Sequence, residues 1–104
     1  MEKRYRRMVG ALREKEDLGP KDWSVYIVRC GDESLYTGIA KDVGARVANH
    51  NKGKGAAYTR SRRPVNLEYS QHGMTRSEAL VMEARIKSLP RSEKERLLKG
   101  SDAK

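Results

Sequence analysis

Apolar residues run almost without interruption through the stretch WSVYIVRC, which covers residues 23–30. Its β-branched and aromatic side chains predict a strand that is buried on at least one face. The polar tetrapeptide GDES that follows is typical of a turn, and LYTGIA then supplies a second strand-like stretch. We therefore expect a β-hairpin at the start of the folded part of the chain.

Two later stretches repeat apolar residues at helical spacing. Asp42 precedes VGARVANHN and can cap a helix with two valines on its apolar side, before the glycines of KGKG stop it. Thr75 and Glu78 form a capping box ahead of TRSEALVMEARIKSL, which is the clearest helix of the chain. A short last helix is expected to begin at Pro90.

Between these helices, the segment PVNLEYS alternates Val65, Leu67 and Tyr69 with polar residues, and this alternation predicts a third strand. The predicted element order is β-β-α-β-α-α. The fold class is therefore α+β, with a small three-stranded antiparallel sheet flanked by helices.

The length of 104 residues leaves room for one domain around one core. We place this domain at residues 22–99, with a basic N-terminal extension at residues 1–21 and a frayed tail at residues 100–104. An amphipathic helix and a disordered leader are both open interpretations of the extension. Because it lacks a long apolar run, we expect neither a signal peptide nor a spanning helix there.

The chain is strongly basic, with 23 Lys and Arg against 14 Asp and Glu and a net charge of +9. A polyanion is the leading partner, since each neutralised phosphate releases condensed counterions. An anionic membrane surface is the rival interpretation. The single Cys30 excludes an intramolecular disulfide and a zinc-type cysteine pair, which suits the reducing cytoplasm.

Five polar side chains stand at positions that call for an explanation. Tyr26 and Tyr36 lie on the two strands of the hairpin and, if paired across it, present both hydroxyls on one face. Arg46 and His50 are four residues apart and share a helix face. Glu83 lies mid-helix among apolar residues, where a carboxylate needs a partner or a metal. Taken singly, each has a plainer interpretation: tyrosine packing, a solvated helix face, or an ion pair with a cation of the same helix.

This combination resembles the GIY-YIG nuclease superfamily, and most closely its small stand-alone bacterial members with a single domain. The triplets SVY, which ends at Tyr26, and YTG, which begins at Tyr36, resemble the two name-giving motifs, with Ser-Val in place of Gly-Ile. The resemblance extends over residues 23–98. Ile39 stands where some branches carry a lysine, and the asparagine found late in larger members has no counterpart after Glu83.

The resemblance implies a role for each of the five side chains. Glu83 would bind a single Mg²⁺ or Mn²⁺ that is held weakly without substrate. Arg46 would neutralise the scissile phosphate. Tyr36 is the first choice for the general base and Tyr26 the second, and His50 would orient that tyrosine or shuttle its proton.

A basic loop, GKGAAYTRSRR, follows the predicted first helix and combines phosphate-binding cations with an aromatic that can stack on a base. A solvated loop is the alternative. Gly38 is expected to be structural, because without a Cβ its backbone can approach the metal site or the next strand. Among the loop arginines Arg60 is the preferred substrate contact. The predicted nucleic-acid contacts are Lys41, Lys54, Tyr58, Thr59 and Arg60.

The sequence therefore predicts a divalent-metal-dependent DNA endonuclease of low sequence specificity. We expect it to be cytoplasmic, to select branched, flapped or damaged DNA, and to act in repair or recombination. The main alternative is a nucleic-acid-binding module that cleaves poorly or not at all. A third interpretation is an accessory subunit whose N-terminal helix docks on a protein or an anionic membrane.

Overall fold

The computed structural model describes residues 19–102, and over this range it confirms the α+β architecture and the predicted order of strands and main helices. Residues 1–18 of the predicted extension lie outside the described residues, so neither interpretation of it is tested. None of the helices in the described range is long and apolar enough to cross a membrane. The elements are β1 (Trp23–Arg29), β2 (Leu35–Ala40), α1 (Val43–Asn51), α2 (Ala57–Arg60), β3 (Asn66–Met74), α3 (Arg76–Lys87) and α4 (Arg91–Asp102).

One additional helix and two element ends differ from the sequence expectations. The one-turn helix α2 forms inside the predicted basic loop. Strand β3 continues past the predicted end at Ser70 as far as Met74, because the added residues pair with β1 although they lack apolar alternation. Helix α4 continues to Asp102, past residue 100, where we placed the start of the tail.

Strand β1 is the centre of the sheet, whose order is β2-β1-β3 with antiparallel neighbours on both sides. The residues from Ser24 to Val28 are all buried. A strand that is covered on both faces needs no alternation of apolar and polar residues. This explains why the stretch at residues 23–30 is apolar almost throughout.

The sheet separates two hydrophobic cores. One, on the side of α3 and α4, comprises Val25, Ile27, Met74, Ala79, Ile86 and Leu98. The other, on the side of α1, comprises Tyr26, Val28, Cys30, Ala40, Val43 and Val65. Because successive residues of β1 point to opposite faces, Tyr26 lies in the core that α1 covers.

Side-chain caps fix where the two longer predicted helices begin. The backbone N–H of Ala45 donates to Oδ1 of Asp42 over 3.0 Å. Thr75 and Glu78 form the predicted capping box, with bonds of 3.0 and 3.2 Å. Both predicted helix starts are confirmed. The first cap sets the phase of α1 and so the direction in which Arg46 points, one turn further on.

Arg29, at the end of β1, ties α4 to the sheet. Its guanidinium donates to Glu68 on β3 over 2.9 and 3.0 Å and to Glu95 on α4 over 3.2 and 2.9 Å. The bonds from Arg29, followed by those from Arg91, lower the pKa of Glu95 to about 2. Helix α4 is thereby held by charge as well as by its leucines.

Candidate functional site

The two tyrosines of the hairpin are diagonal neighbours, not a direct pair. Tyr26 pairs with Gly38, and Tyr36 pairs with Val28. Directly paired residues point to the same face of a sheet, and Val28 is two residues from Tyr26, so both rings lie on the α1 side. A Cβ on Gly38 would lie 2.5 Å from Oη of Tyr26 and 2.7 Å from its Cζ. The glycine therefore makes room for the Tyr26 ring to lie across β2.

His50, on α1, is completely buried and bridges two other buried side chains. Its Nε2 lies 2.8 Å from Oη of Tyr26, and its Nδ1 lies 2.8 Å from Oγ1 of Thr59. Burial lowers the pKa of His50, and the charge of Arg46 lowers it further. The ring is therefore neutral at neutral pH. Tyr26, His50 and Thr59 form one hydrogen-bonded chain across β1, α1 and α2.

Three further candidate side chains, Tyr36, Arg46 and Glu83, influence the pKa of the Tyr26 phenol. Burial raises the pKa of Tyr26, the nearby Tyr36 and Glu83 raise it further, and Arg46 lowers it. A charge or phenol affects a neighbour's pKa only at short range in a screened medium. Tyr36, Arg46 and Glu83 therefore lie close to the Tyr26 phenol, and His50 is hydrogen-bonded to it, so all five side chains that the sequence singled out for catalysis lie within one neighbourhood.

Tyr36 is only half-buried and belongs to an aromatic stack. Its ring meets the His50 ring edge to face, with ring centroids 5.4 Å apart, and stacks on the Tyr58 ring with centroids 5.8 Å apart. The guanidinium carbon of Arg62 lies 3.9 Å from the centre of the Tyr58 ring. The stack therefore connects the buried histidine with the basic surface.

The predicted basic loop is divided between the surface and the core. Tyr58 and Arg60 are exposed, as substrate contacts must be, whereas Thr59 has no exposed surface. The prediction that the Thr59 side chain contacts nucleic acid is therefore wrong. The physical reason is α2: one turn of helix directs Thr59 towards His50 while its two neighbours remain outside.

The two lysines predicted as nucleic-acid contacts lie on the surface. Lys54 is exposed after α1, and Lys41 is exposed between β2 and α1. The Nζ atom of Lys41 lies 3.9 Å from the carboxylate of Asp22 and 5.7 Å from the centre of the Trp23 ring. Arg76 lies 5.7 Å from the same ring. This second basic patch includes an arginine that sequence reasoning missed.

Two further residues that the sequence did not single out hold the loop against α1. A Cβ on Gly55 would collide with the His50 ring, so the loop backbone packs directly on that ring. The Asn51 side chain donates to the carbonyl of Val65 over 2.9 Å and accepts from its N–H over 2.7 Å. The only local sequence signal for this packing was Gly55, which we interpreted as part of the segment that ends the helix. These contacts arise when the loop folds back, which no spacing in the sequence reveals.

The family of this chain follows from its similarity to a known domain. Residues 22–96 match the family model described as the GIY-YIG catalytic domain. The chain belongs to the GIY-YIG family. This confirms the resemblance drawn from the triplets SVY and YTG. A GIY-YIG domain points to endonuclease activity, a hydrolase reaction, and to DNA as the substrate.

Relatives of this GIY-YIG chain include proteins whose names describe no activity. The UPF0213 protein of Staphylococcus aureus strain Mu3 is 59% identical over 75 residues, which are 72% of this chain and 92% of that protein. The solution NMR structure of the UPF0213 protein BH0048 from Bacillus halodurans is 42% identical with a TM-score of 0.49, covering 74% of this chain and 82% of that one.

A second solution NMR structure, of the protein EF2693 from E. faecalis, is 37% identical. Its TM-score is 0.52, and the match covers 78% of this chain and 86% of that chain. This likeness supports the three-stranded fold over most of both chains.

GIY-YIG nucleases generally depend on a divalent metal, and Glu83 is the side chain for which the sequence predicts that role. Its side chain is about one-fifth exposed, and its Oε2 lies 3.4 Å from Nζ of Lys87. Within residues 19–102, no group of three or more His, Cys, Asp or Glu side chains is placed to hold an ion. A single carboxylate suits Mg²⁺, which keeps several waters and uses substrate phosphates as ligands. The donor set does not form a closed metal cage.

Proposed function

We propose that this chain is a divalent-metal-dependent DNA endonuclease of low sequence specificity, selective for branched, flapped or damaged DNA. We further propose that it acts in DNA repair or recombination in the cytoplasm. One observation carries the enzymatic part: a buried tyrosine that is hydrogen-bonded to a neutral histidine lies beside an arginine and a carboxylate.

The proton of the attacking water would leave through Tyr26 and His50. Of the two tyrosines, Tyr26 is the one hydrogen-bonded to His50, so it has a proton acceptor behind it. As its oxygen takes a proton from the water, its own proton can move to Nε2 of the histidine. This exchanges the two tyrosines relative to the sequence-based preference, in which Tyr36 was the first choice. Tyr36 would then contribute to the substrate-facing wall.

Arg46 would neutralise the scissile phosphate. Its side chain is half-buried beside the Tyr26 phenol, whose exposed fraction is only 1%. The attacking water can reach that phenol only if a covering side chain moves. A phosphate attracts a guanidinium through a planar fork of donors, so we expect substrate to draw Arg46 outwards and open the site.

The metal would be held by Glu83 together with water and phosphate oxygens. A divalent ion in this position supplies charge neutralisation at the phosphate and a lowered pKa for the attacking water. Lys87 lies 3.4 Å from Oε2 of this carboxylate, so an ion would compete with the lysine for that oxygen or bind the other one. A single carboxylate that is shared with a lysine supports an ion that is held firmly only with substrate.

The DNA surface would be the exposed side of the basic loop together with the patch around Lys41. Arg60, Lys54 and Lys41 are exposed cations, and such side chains contact phosphates, which carry no sequence information. Low sequence specificity follows from this kind of contact. Selection for branched or flapped DNA would come from access to the half-buried site, because a strand that is free to bend enters more easily.

The deciding experiment incubates the purified protein with duplex, single-stranded, flap and four-way-junction DNA in Mg²⁺, Mn²⁺ or EDTA. We expect metal-dependent cutting that is fastest on flaps or junctions. Equal cutting in EDTA would contradict metal dependence, and an absence of cutting in every combination would contradict the enzyme.

A nucleic-acid-binding module is the second candidate, and one observation favours it. The Glu83 carboxylate is already paired with Lys87, as in an ordinary ion pair of a helix surface. In that case the same DNA panel would give tight, salt-sensitive binding without products. Replacing Lys87 with Ala separates the two candidates: it should raise metal affinity in an enzyme and change only weak electrostatics in a binding module.

A further inference from the structure

Thr59 is a buried hydroxyl residue that none of the roles above requires. It lies on α2 and contacts His50 of α1, which in turn contacts Tyr26 of β1; the exposed fractions of the three are 0%, 0% and 1%. We infer that Thr59 is a positioning residue that keeps the proton of His50 on Nδ1, so that the lone pair of Nε2 faces Tyr26. Its effect on catalysis rests on the proposed function; its effect on the histidine does not.

The first argument is the hydrogen that Thr59 can donate. A threonine hydroxyl has one hydrogen and two acceptor positions. Its Oγ1 donates to the carbonyl oxygen of Ala56 over 3.0 Å, within the same turn of helix. The hydroxyl therefore meets Nδ1 of His50, 2.8 Å away, with an acceptor position. Nδ1 must carry the ring proton to complete this bond.

The second argument starts from the opposite end of the chain. A buried phenol requires an acceptor for its hydrogen. Arg46 also bonds to the Tyr26 hydroxyl, but a guanidinium only donates, so the acceptor for the phenol hydrogen is Nε2 of His50, at 2.8 Å. Nε2 is an acceptor only if the proton is on Nδ1, since a neutral imidazole has one donor and one acceptor nitrogen. Both ends of the chain therefore assign the same tautomer.

The surroundings also prevent the ring from changing its contacts. The backbone at Gly55 packs so closely on the His50 ring that a side chain there would collide with Nδ1. The hydrogen bond made by one ring nitrogen determines which nitrogen carries the proton. With the ring held in place, loss of the Thr59 hydroxyl would leave the Nδ1–H without its acceptor, which favours moving the proton to Nε2.

The consequence for the proposed reaction is a balanced transfer. Tyr26 gains one proton from the water and gives one to Nε2, so the phenol ends neutral. His50 becomes a cation with a proton on each nitrogen, and its Nδ1–H bond to Thr59 is unchanged. In the opposite tautomer Nε2 already carries a proton and cannot accept another, so this path is closed.

The test combines a spectroscopic and a kinetic measurement on the full chain. Histidine labelled with ¹⁵N gives separate shifts for protonated and unprotonated ring nitrogens, and the chain has two histidines, which a His72→Gln variant assigns. We expect the wild-type His50 to be protonated on Nδ1. Thr59→Val keeps the shape but removes the hydroxyl, and should shift His50 towards Nε2 protonation, whereas Thr59→Ser should retain the wild-type spectrum.

In single-turnover cleavage of a flap DNA, Thr59→Val should be slower by on the order of 10- to 100-fold, as for other outer partners of functional histidines. Thr59→Ser should restore most of this rate, and the DNA dissociation constant should change little in either variant. The signals of the exposed His72 serve as an internal control and should not move.

The outcomes separate the two proposals. A wild-type His50 protonated on Nε2, or a Thr59→Val variant that keeps the Nδ1 tautomer, would overturn the inference whether or not the protein cuts DNA. If the wild-type protein cuts no DNA at all, the proposed function fails while the spectra still decide the tautomer. If Thr59→Val does not fold, the wild-type spectrum alone decides, since the Nδ1 tautomer supports the inference and the Nε2 tautomer overturns it.

Discussion

Replacing Tyr26 with Phe removes a single oxygen atom from the buried centre of the site. The ring still fills the space above Gly38, so the packing is retained. The loss falls on His50, whose Nε2 is fully buried and then lacks its 2.8 Å partner. A buried polar atom left without a partner costs about 1–3 kcal/mol of stability. In a domain of this size each kcal/mol lowers the melting temperature by about 4–8 °C.

The effect of this substitution on cleavage should exceed its effect on stability. Positioned proton transfer contributes on the order of 10²–10⁴-fold to a rate, and Tyr26→Phe removes the group that would take the proton from water. DNA affinity should stay near the wild-type value, since the hydroxyl is buried. Single-turnover rates on a flap DNA, at a temperature where the variant is fully folded, measure the loss.

Tyr36→Phe is the matched control, because it removes the same atom from the same face of the sheet. Within residues 19–102 the Tyr36 hydroxyl forms no hydrogen bond to another group of the protein, so its loss should change stability by less than about 0.5 kcal/mol. We expect a smaller fall in rate than for Tyr26→Phe. A larger fall for Tyr36→Phe, or normal cutting by Tyr26→Phe, would refute the proton path and return the role of base to Tyr36.

Three further outcomes are expected. Glu83→Gln should retain the fold and DNA binding but lose at least about 100-fold in cleavage rate, and undiminished cutting by this variant would exclude Glu83 as the metal ligand. Arg60→Ala should lower the slope of log K against log[salt] by about one unit for a lost phosphate contact, whereas Arg46→Ala should mainly slow cleavage; an unchanged slope would mean a merely solvated loop. Because Arg29 holds the pKa of Glu95 near 2 when folded, against an ordinary value of 4.5, the charged carboxylate stabilises the fold above about pH 4.5, and this contribution is lost as the pH falls towards 2. Glu95→Gln should therefore be less stable than wild type at pH 6 by urea unfolding, with the difference shrinking towards pH 2; a difference independent of pH would contradict this linkage.

The parts of this fold that the sequence predicted are those set by local chemistry. Asp42 and the Thr75–Glu78 box each mark a helix start through groups a few residues apart. The hairpin follows from two strand-like stretches around a turn. The end of β3 was missed because pairing with β1, and not side-chain alternation, extends it to Met74.

The sequence indicated which side chains lie close together, but not how they are connected. Strand pairing put Tyr26 and Tyr36 on one face of the hairpin, and helical spacing put Arg46 and His50 on one face of the helix. The partner of His50 depends on the strand register, which sets Tyr26 against Gly38. The burial of Thr59 depends on a single turn of helix folding back on α1, and no periodic signal is visible in four residues. Both the partner of His50 and the burial of Thr59 therefore depend on tertiary structure.

Helix α2 constrains how the surface loop can change over time. Each residue of a helix is rotated by about 100° from the one before it. Substituting Arg60 alters only what faces outwards, whereas inserting or deleting one residue before Thr59 would rotate another side chain into the space beside His50. Substitution of the charged loop residues should therefore be tolerated, whereas a change in the length of the loop should not. We expect its evolutionary record to show many substitutions and almost no insertions or deletions.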